Sequence, residues 1–237
     1  MQDRLQKLFP VNYRNGKILM INADCMKVMQ YIKGKEIELA IVDPPYGIGK
    51  DGNKSSTGRH GGRKAHTIKS WDSTRPNASY FQELFRVSCN QIIWGANYYP
   101  ENLIPSMGWI VWDKGQRISQ SDGELAFSSF NKALRICTIN RVELLLEGTI
   151  HPTQKPVALY KWLLKNYAKP SDCILDTHGG SGSICIACHD LGFELTWIEL
   201  DRDYYDAAVD RYRHYAAQGM LFESASMERT KQNEFEI

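Results

Sequence analysis

The chain has 237 residues, 43% of them apolar and 24% charged, which is the make-up of an ordinary globular protein and enough for one well-packed domain. Its 29 Lys and Arg against 27 Asp and Glu leave a formal charge of +2, too small to mark a polyanion-binding protein by net charge alone. No apolar run approaches the roughly 20 residues of a membrane span, and the opening "MQDRLQKLFP" has no secretory apolar region, so a cytoplasmic protein without a membrane partner is expected.

In chain order, "KILMINAD" (17–24) reads as a strand ending in an acid and leads into a short helix, "CMKVMQYI". "IELAIVD" (37–43) is a second strand, apolar almost throughout, as expected for one covered on both faces. It runs into "DPPYGIG". Pro44 and Pro45 forbid helix and remove two backbone donors, so Asp43 to Tyr46 is stiff, the construction of a rigid pocket edge. Residues 50 to 70 follow without periodicity, with six Lys or Arg against one Asp, as a long basic loop. "ASYFQELFRVS" (78–88) is an amphipathic helix feeding a third strand, "NQIIWG", and "MGWIVWDKG" (107–115) gives a fourth.

Residues 123 to 149 hold strand-like pieces such as "LRICTI" and "RVELLLE". In "HPTQKPVALYKWLLKNYAKP", Pro156 sits near the first turn of a helix. "DCILD" (172–176) and "FELTWIEL" (193–200) are strands on either side of an apolar helix, and "DRDYYDAAVDRYRHYAAQG" is a helix ending near Gly219. Strands alternating with helices mean an α/β fold around a mostly parallel sheet, without internal repeat or a second domain. The six cysteines are scattered through mostly apolar segments and read as buried thiols in a reducing compartment. Cys185 and Cys188 form a lone CxxC in a helical pattern, so core packing is preferred and no metal is expected.

"ILDTHGGSGS" (174–183) lies between a strand and a helix, with glycines that let backbone approach a ligand. Its spacing is neither that of a dinucleotide fingerprint nor that of a phosphate-binding P-loop. Glu199 ends the next strand, 23 residues after Asp176, where an acid can accept both hydroxyls of a ribose. A nucleoside-containing cofactor without a pyrophosphate is indicated. A glycine turn beside an acidic strand end is the plainer reading of this segment taken alone.

Taken with the proline segment, the chain resembles the amino-group DNA methyltransferases that use S-adenosylmethionine. "DPPY" (43–46) looks like their catalytic motif, "LDTHGGSGS" like their cofactor loop, and "HPTQKP" (151–156) like the segment preceding that loop. Catalytic motif first and cofactor loop last is the order of the family's beta class, and small phage-type adenine methyltransferases are similar. The resemblance implies a doubly wound, mostly parallel, seven-stranded sheet of the class I methyltransferase (Rossmann-like) type with circularly permuted motif order. It implies a single methyltransferase domain over 1–237 in which 48–70 is a basic loop insertion. "KILMINAD" then supplies the strand that should follow the one ending at Glu199.

The cofactor set implied is Asp24, Asp43, Thr153, Lys155, Asp176, His178, Gly180, Ser181, Gly182 and Glu199. Asp24 also suits the N-cap of its helix, and Thr153 suits a helix cap. His178 stands where the family usually has Phe, which implies weaker or pH-sensitive cofactor binding. The catalytic set is Asp43, Pro44, Pro45 and Tyr46: Asp43 and the Pro44 carbonyl accept the amino hydrogens of a flipped base, and Tyr46 stacks on that base.

Lys50, Lys54, Arg59, Arg63, Lys64 and Lys69, with Lys114 and Arg117, are the expected contacts to double-stranded DNA. A solvated loop is the plainer reading of the same charges. No cysteine follows a proline, which argues against carbon-5 cytosine chemistry, and Asp at the head of the motif favours adenine N6. Cytosine-N4 methylation, an RNA substrate and an inactive DNA-binding partner subunit are the alternatives. A homodimer and a cognate restriction endonuclease are further partners that the resemblance admits.

Overall fold

The computed structural model describes residues 1–49, 69, 71–115, 121–140 and 147–234, with side chains described to residue 218. Lys50, Lys54, Arg59, Arg63, Lys64 and Arg117 of the expected DNA-contacting set lie outside the described residues, as does most of "RVELLLE". The strands are β1 (Asn12–Asn15), β2 (Ile18–Asn22), β3 (Ile37–Val42), β4 (Ser88–Trp94), β5 (Ile110–Asp113), β6 (Gly123–Ser128), β7 (Arg135–Thr138), β8 (Cys173–Asp176) and β9 (Glu194–Glu199). The helices are α1 (Gln2–Leu8), α2 (Cys25–Met29), α3 (Ala78–Val87), α4 (Val157–Tyr167), α5 (Ser183–Leu191) and α6 (Arg202–Glu234).

Among the described residues one sheet of nine strands runs β1-β2-β9-β8-β3-β4-β6-β5-β7. Its centre, from β2 to β4, is parallel; β1 and β6 run antiparallel to it, and β5 and β7, beyond β6, run parallel to it again. The expected count of seven is therefore corrected. β1 is the polar "NYRN", which carries no apolar alternation and is a strand only because β2 offers it an edge. β6 lay in a stretch read only as holding strand-like pieces. β2 does pair in parallel with β9, Asn22 opposite Glu199, as the strand after Glu199 should.

Alternate residues of each central strand enter opposite cores. Met20, Leu39, Ile41, Ile92 and Trp197 face α4, α5 and α6, whereas Leu19, Ile21, Ala40, Ile93 and Ile198 face α1, α2 and α3. Fully burying each large aliphatic residue contributes about 1.5–3 kcal/mol, which is why these strands are apolar on both faces. α3 buries Tyr80, Phe81, Leu84 and Val87 along one stripe. Gln2 docks α1, its side-chain amide donating to the carbonyls of Lys17 and Leu195 at 3.0 and 2.8 Å. α6 does not end at Gly219 but runs on to Glu234: one glycine weakens a helix by about 1 kcal/mol and does not stop it when good helix formers follow. Cys185 and Cys188 are packed in the core.

The connection from β3 through α3 to β4 lies on one face, and that from β8 through α5 to β9 on the other. β3 and β8 are neighbours. Chains leaving adjacent strands toward opposite faces open a crevice at the carboxyl ends of those strands, the place where such folds bind ligands.

Candidate active site

Two concavities share that crevice. The larger, about 1100 Å³, is lined by Asp24, Asp43, Thr153, Lys155, His178, Gly180, Ser181 and Glu199. The smaller, about 420 Å³, is lined by Asp43, Pro44, Pro45, Tyr46, Tyr98 and Glu124 among others. They meet at Asp43, Pro45, Trp71, Thr153 and Lys155. A cleft with acids and aromatics opening beside a smaller pocket has the shape needed to hold two reactants against one carboxylate.

The glycine loop is pinned to β9. The Gly179 amide donates to the Ile198 carbonyl at 2.9 Å, and the Gly180 amide to Glu199 Oε2 at 2.8 Å. Glu199 Oε1 accepts from the Asp201 amide at 2.8 Å. Burial raises the Glu199 pKa while these amides oppose it. Asp24 caps α2 by accepting from the Met26 amide at 2.9 Å and also lines the cleft, so both of its expected roles are compatible.

Two of the expected cofactor residues sit behind the cleft wall. Asp176 is buried and accepts from the His178 amide at 3.0 Å, and burial pushes its carboxyl up to about 8. Gly182, at φ +69°, begins α5, and an added Cβ would come within 3.2 Å of Ala208. Both shape the loop from beneath. His178 faces the cleft, its Nδ1 3.0 Å from Thr177 Oγ1, and burial lowers its pKa to about 4. The imidazole is therefore neutral at physiological pH.

At the other motif, Tyr46 Oη donates to Asp43 Oδ1 at 2.6 Å, and the Lys155 ammonium bonds Asp43 Oδ2. Asp72, which sequence reasoning missed, holds the turn by accepting from the Tyr46 and Gly47 amides at 2.7 and 2.9 Å. Tyr99, also missed, bonds the Pro44 carbonyl at 3.1 Å. The Tyr46 ring is stacked on Tyr98, centroids 4.9 Å apart, so one of its faces is already covered. Thr153 Oγ1 lies 3.2 Å from His151 Nδ1 and caps no helix; α4 starts behind Pro156 without a side-chain cap.

Lys155, expected at the cofactor, is ion-paired with Asp43 and with Glu124, the latter at 3.0 Å. Lys69 and Lys114, expected at DNA, are also paired. Lys69 reaches Asp201 at 2.5 Å and Asp203 at 2.7 Å and lies over the Tyr204 ring in the cleft wall. Lys114 bonds Glu124 at 2.8 Å beside the smaller pocket. Arg211 of α6 donates to the Ser181 carbonyl at 2.9 Å and to Glu147 at 3.1 Å, tying the glycine loop to the segment before α4. No local signal marks Glu124, Asp72 or Arg211, because each acts on a residue remote in sequence. Among the described residues no helix is long and apolar enough to cross a membrane.

A DNA methylase family model of the N6/N4 type matches residues 90–210. Over 260 residues the chain is 24% identical to the type II methyltransferase M.HinfI of Haemophilus influenzae, covering 88% of this chain and 72% of that protein. Among solved structures, the complex of M1.HpyAVI with SAM is similar with a TM-score of 0.57 at 20% identity, covering 82% of this chain and 99% of that one. The PvuII DNA methyltransferase, cytosine-N4-specific, is similar with a TM-score of 0.58 at 12% identity, covering 84% and 87%. At these identities the two structural likenesses bear on the fold.

Proposed function

The chain belongs to the N6/N4 DNA methylase family, and from that premise we propose that its target is the N6 amine of an adenine flipped out of duplex DNA. The observation that carries methyl transfer to a base amine is the meeting of the two concavities at Asp43 and Pro45. S-adenosylmethionine is the methyl donor, and its sulfonium methyl supplies the electrophile. The donor set of the larger cleft suits it: the Glu199 and Asp24 carboxylates can accept ribose and adenine hydrogens, and the His178 and Tyr204 rings offer flat apolar walls.

In this reading Asp43 Oδ1 exchanges the Tyr46 hydroxyl for one amino hydrogen of the base. The Pro44 carbonyl uses its second lone pair for the other, the first being engaged by Tyr99. The amine lone pair, otherwise delocalised into the ring, is then directed across the shared wall. As the new nitrogen–carbon bond forms, positive charge grows on nitrogen, and the two oxygens stabilise it and draw off the departing proton. Tyr46 and Tyr98 together form the aromatic wall against which the base stacks. The preference for adenine rests on Asp43 at the head of the motif. The order of the motifs, with β3 before β8 in the chain and β2 beside β9, supports a permuted arrangement.

The test is incubation with S-adenosylmethionine and unmethylated duplex DNA, followed by digestion and mass identification of the nucleosides. N6-methyladenine is expected, lost in Asp43→Ala with cofactor binding retained. N4-methylcytosine would keep the chemistry and overturn the choice of base.

A further inference from the structure

The ammonium of Lys155 is enclosed, its side chain only 2% exposed, between carboxylates that come from different parts of the fold. Asp43 stands at the end of β3 and Glu124 on β6, while Lys155 precedes α4. Glu124 is paired on its other oxygen with Lys114 at 2.8 Å, so two carboxylates and two ammonium groups alternate in a chain that ends on Asp43. The ammonium also lies 5.2 Å over the Trp94 ring, and its remaining hydrogen faces Tyr46 Oη at 3.5 Å. The Lys155 ammonium is thus directed at Asp43, Glu124 and Tyr46.

We propose that Lys155 and Glu124 are positioning residues for methyl transfer: Glu124 anchors the ammonium, and the ammonium fixes Asp43 Oδ2 so that Oδ1 is presented to the incoming amine. This rests on the reading of Asp43 as the acceptor of the amino hydrogen. A lysine held on one side only would follow the flexible stem of its own side chain. Held between two strand-borne carboxylates, it has one position, and Asp43 inherits that position.

The charges around Asp43 give the proposal a signature. Burial pushes the Asp43 carboxyl above its ordinary value; Lys155 opposes this, Glu124 adds to it, and the Tyr46 hydroxyl favours the ionised form. Asp176 and the buried hydroxyls of Tyr80, Tyr99 and Tyr160 lie near enough to feel the Asp43 charge. Burial lowers the Lys155 pKa, but its two carboxylates outweigh this and raise it, and Lys155 with Lys114 holds Glu124 down at about 2 despite burial. Lys155→Met removes a charge that favours ionised Asp43, whereas Glu124→Gln removes one that opposes it. The acid limb of the kcat–pH profile therefore moves to higher pH in Lys155→Met and to lower pH in Glu124→Gln, and a role in packing alone would not give opposite shifts.

The experiment measures methylation of duplex DNA by wild type, Lys155→Met and Glu124→Gln from pH 5.5 to 9 at saturating S-adenosylmethionine, with cofactor affinity by calorimetry and folding by thermal melts. The expected result is a fall in plateau kcat of about tenfold or more in both variants, limbs displaced in opposite directions, and cofactor affinity within about threefold of wild type. A loss of cofactor affinity with kcat and pH profile unchanged would make Lys155 a cofactor ligand and overturn the proposal. Should Lys155→Met fail to fold, the near-isosteric Glu124→Gln decides alone, an unmoved limb counting against. A wild type that methylates no base overturns the proposed reaction and this proposal with it; an active wild type with unmoved variants overturns this proposal only.

Discussion

Replacing Gly179 by alanine tests whether the glycine loop is held at its present height by the tryptophan beneath it. A Cβ at this position would stand 1.9 Å from the indole of Trp197, which is fully buried. Carbon atoms in contact settle at about 3.5–4.0 Å, so loop and ring must part by about 1.6–2 Å. Trp197 lies in the core among the α5 and α6 side chains and has no room to withdraw, so the loop rises. The Gly180 bond to Glu199, now 2.8 Å, would then open past the useful limit of about 3.2 Å.

Overpacking of this kind costs about 1–3 kcal/mol, and losing a hydrogen bond to a charged acceptor about 1.5–3 kcal/mol. For a chain of this size about 2–4 °C is lost per kcal/mol, so a Tm about 5–24 °C lower is expected. On the proposed reading of Glu199 as a ribose acceptor, cofactor affinity is expected to fall about tenfold or more, because the raised loop no longer fixes the Glu199 carboxylate through the Gly180 amide. The control is Gly192→Ala, whose φ of +75° is equally unfavourable to alanine but whose Cβ would meet nothing within 4 Å. It costs about 1–2 kcal/mol and leaves calorimetric affinity for S-adenosylmethionine unchanged. A Gly179→Ala protein that melts no lower than this control and binds the cofactor within twofold of wild type would refute the reasoning.

His178 in the cleft wall and Asp176 beneath the loop tilt stability against pH in opposite senses. His178, lowered by burial to about 4, refuses a proton that the unfolded chain accepts below its ordinary 6.5, so stability falls as pH drops from 6.5 toward 4. His178→Phe removes that fall, and cofactor affinity in the wild type stays flat from about pH 6.5 to 8 because the ring is neutral throughout. Asp176, raised by burial to about 8, keeps a proton that the unfolded chain gives up above 3.8, so its contribution declines from about pH 4 to 8. Urea unfolding across pH should show this decline flattened in Asp176→Asn, at most by about 1.4 kcal/mol per pH unit; an unchanged slope would mean that the carboxyl is already ionised. Arg211→Met breaks the bonds to Ser181, Ser183 and Glu147 and should lower Tm by about 4–8 °C together with cofactor affinity, read by melting and calorimetry. Unchanged cofactor affinity would place Arg211 outside the support of the loop.

Much of this molecule is legible one segment at a time. "IELAIVD" and "FELTWIEL" are apolar runs bounded by acids, and a run buried on both faces of a sheet needs no partner to be recognised. The stiff "DPPY" turn, the glycine loop and Glu199 announce themselves for the same reason, since their conformations and chemistry are local properties. The place of β2 beside β9 is the one that the resemblance implied.

Local pattern alone thus carries the α/β class, the strand-end acids and the stiff proline and glycine turns. The tertiary structure decided what those residues touch. β1 is a strand only because β2 offers an unpaired edge, and Gly219 ends no helix because its neighbours carry the helix onward. Lys155 shows no partner in "HPTQKP" until β6 brings Glu124 to it, and Lys69 resembles a free cation until it meets Asp201 from beyond β9. A charge in a linear sequence has no partner to display. Its partner is chosen by the sheet order, which juxtaposes residues 31 and 132 positions apart, and only the folded chain sets that distance.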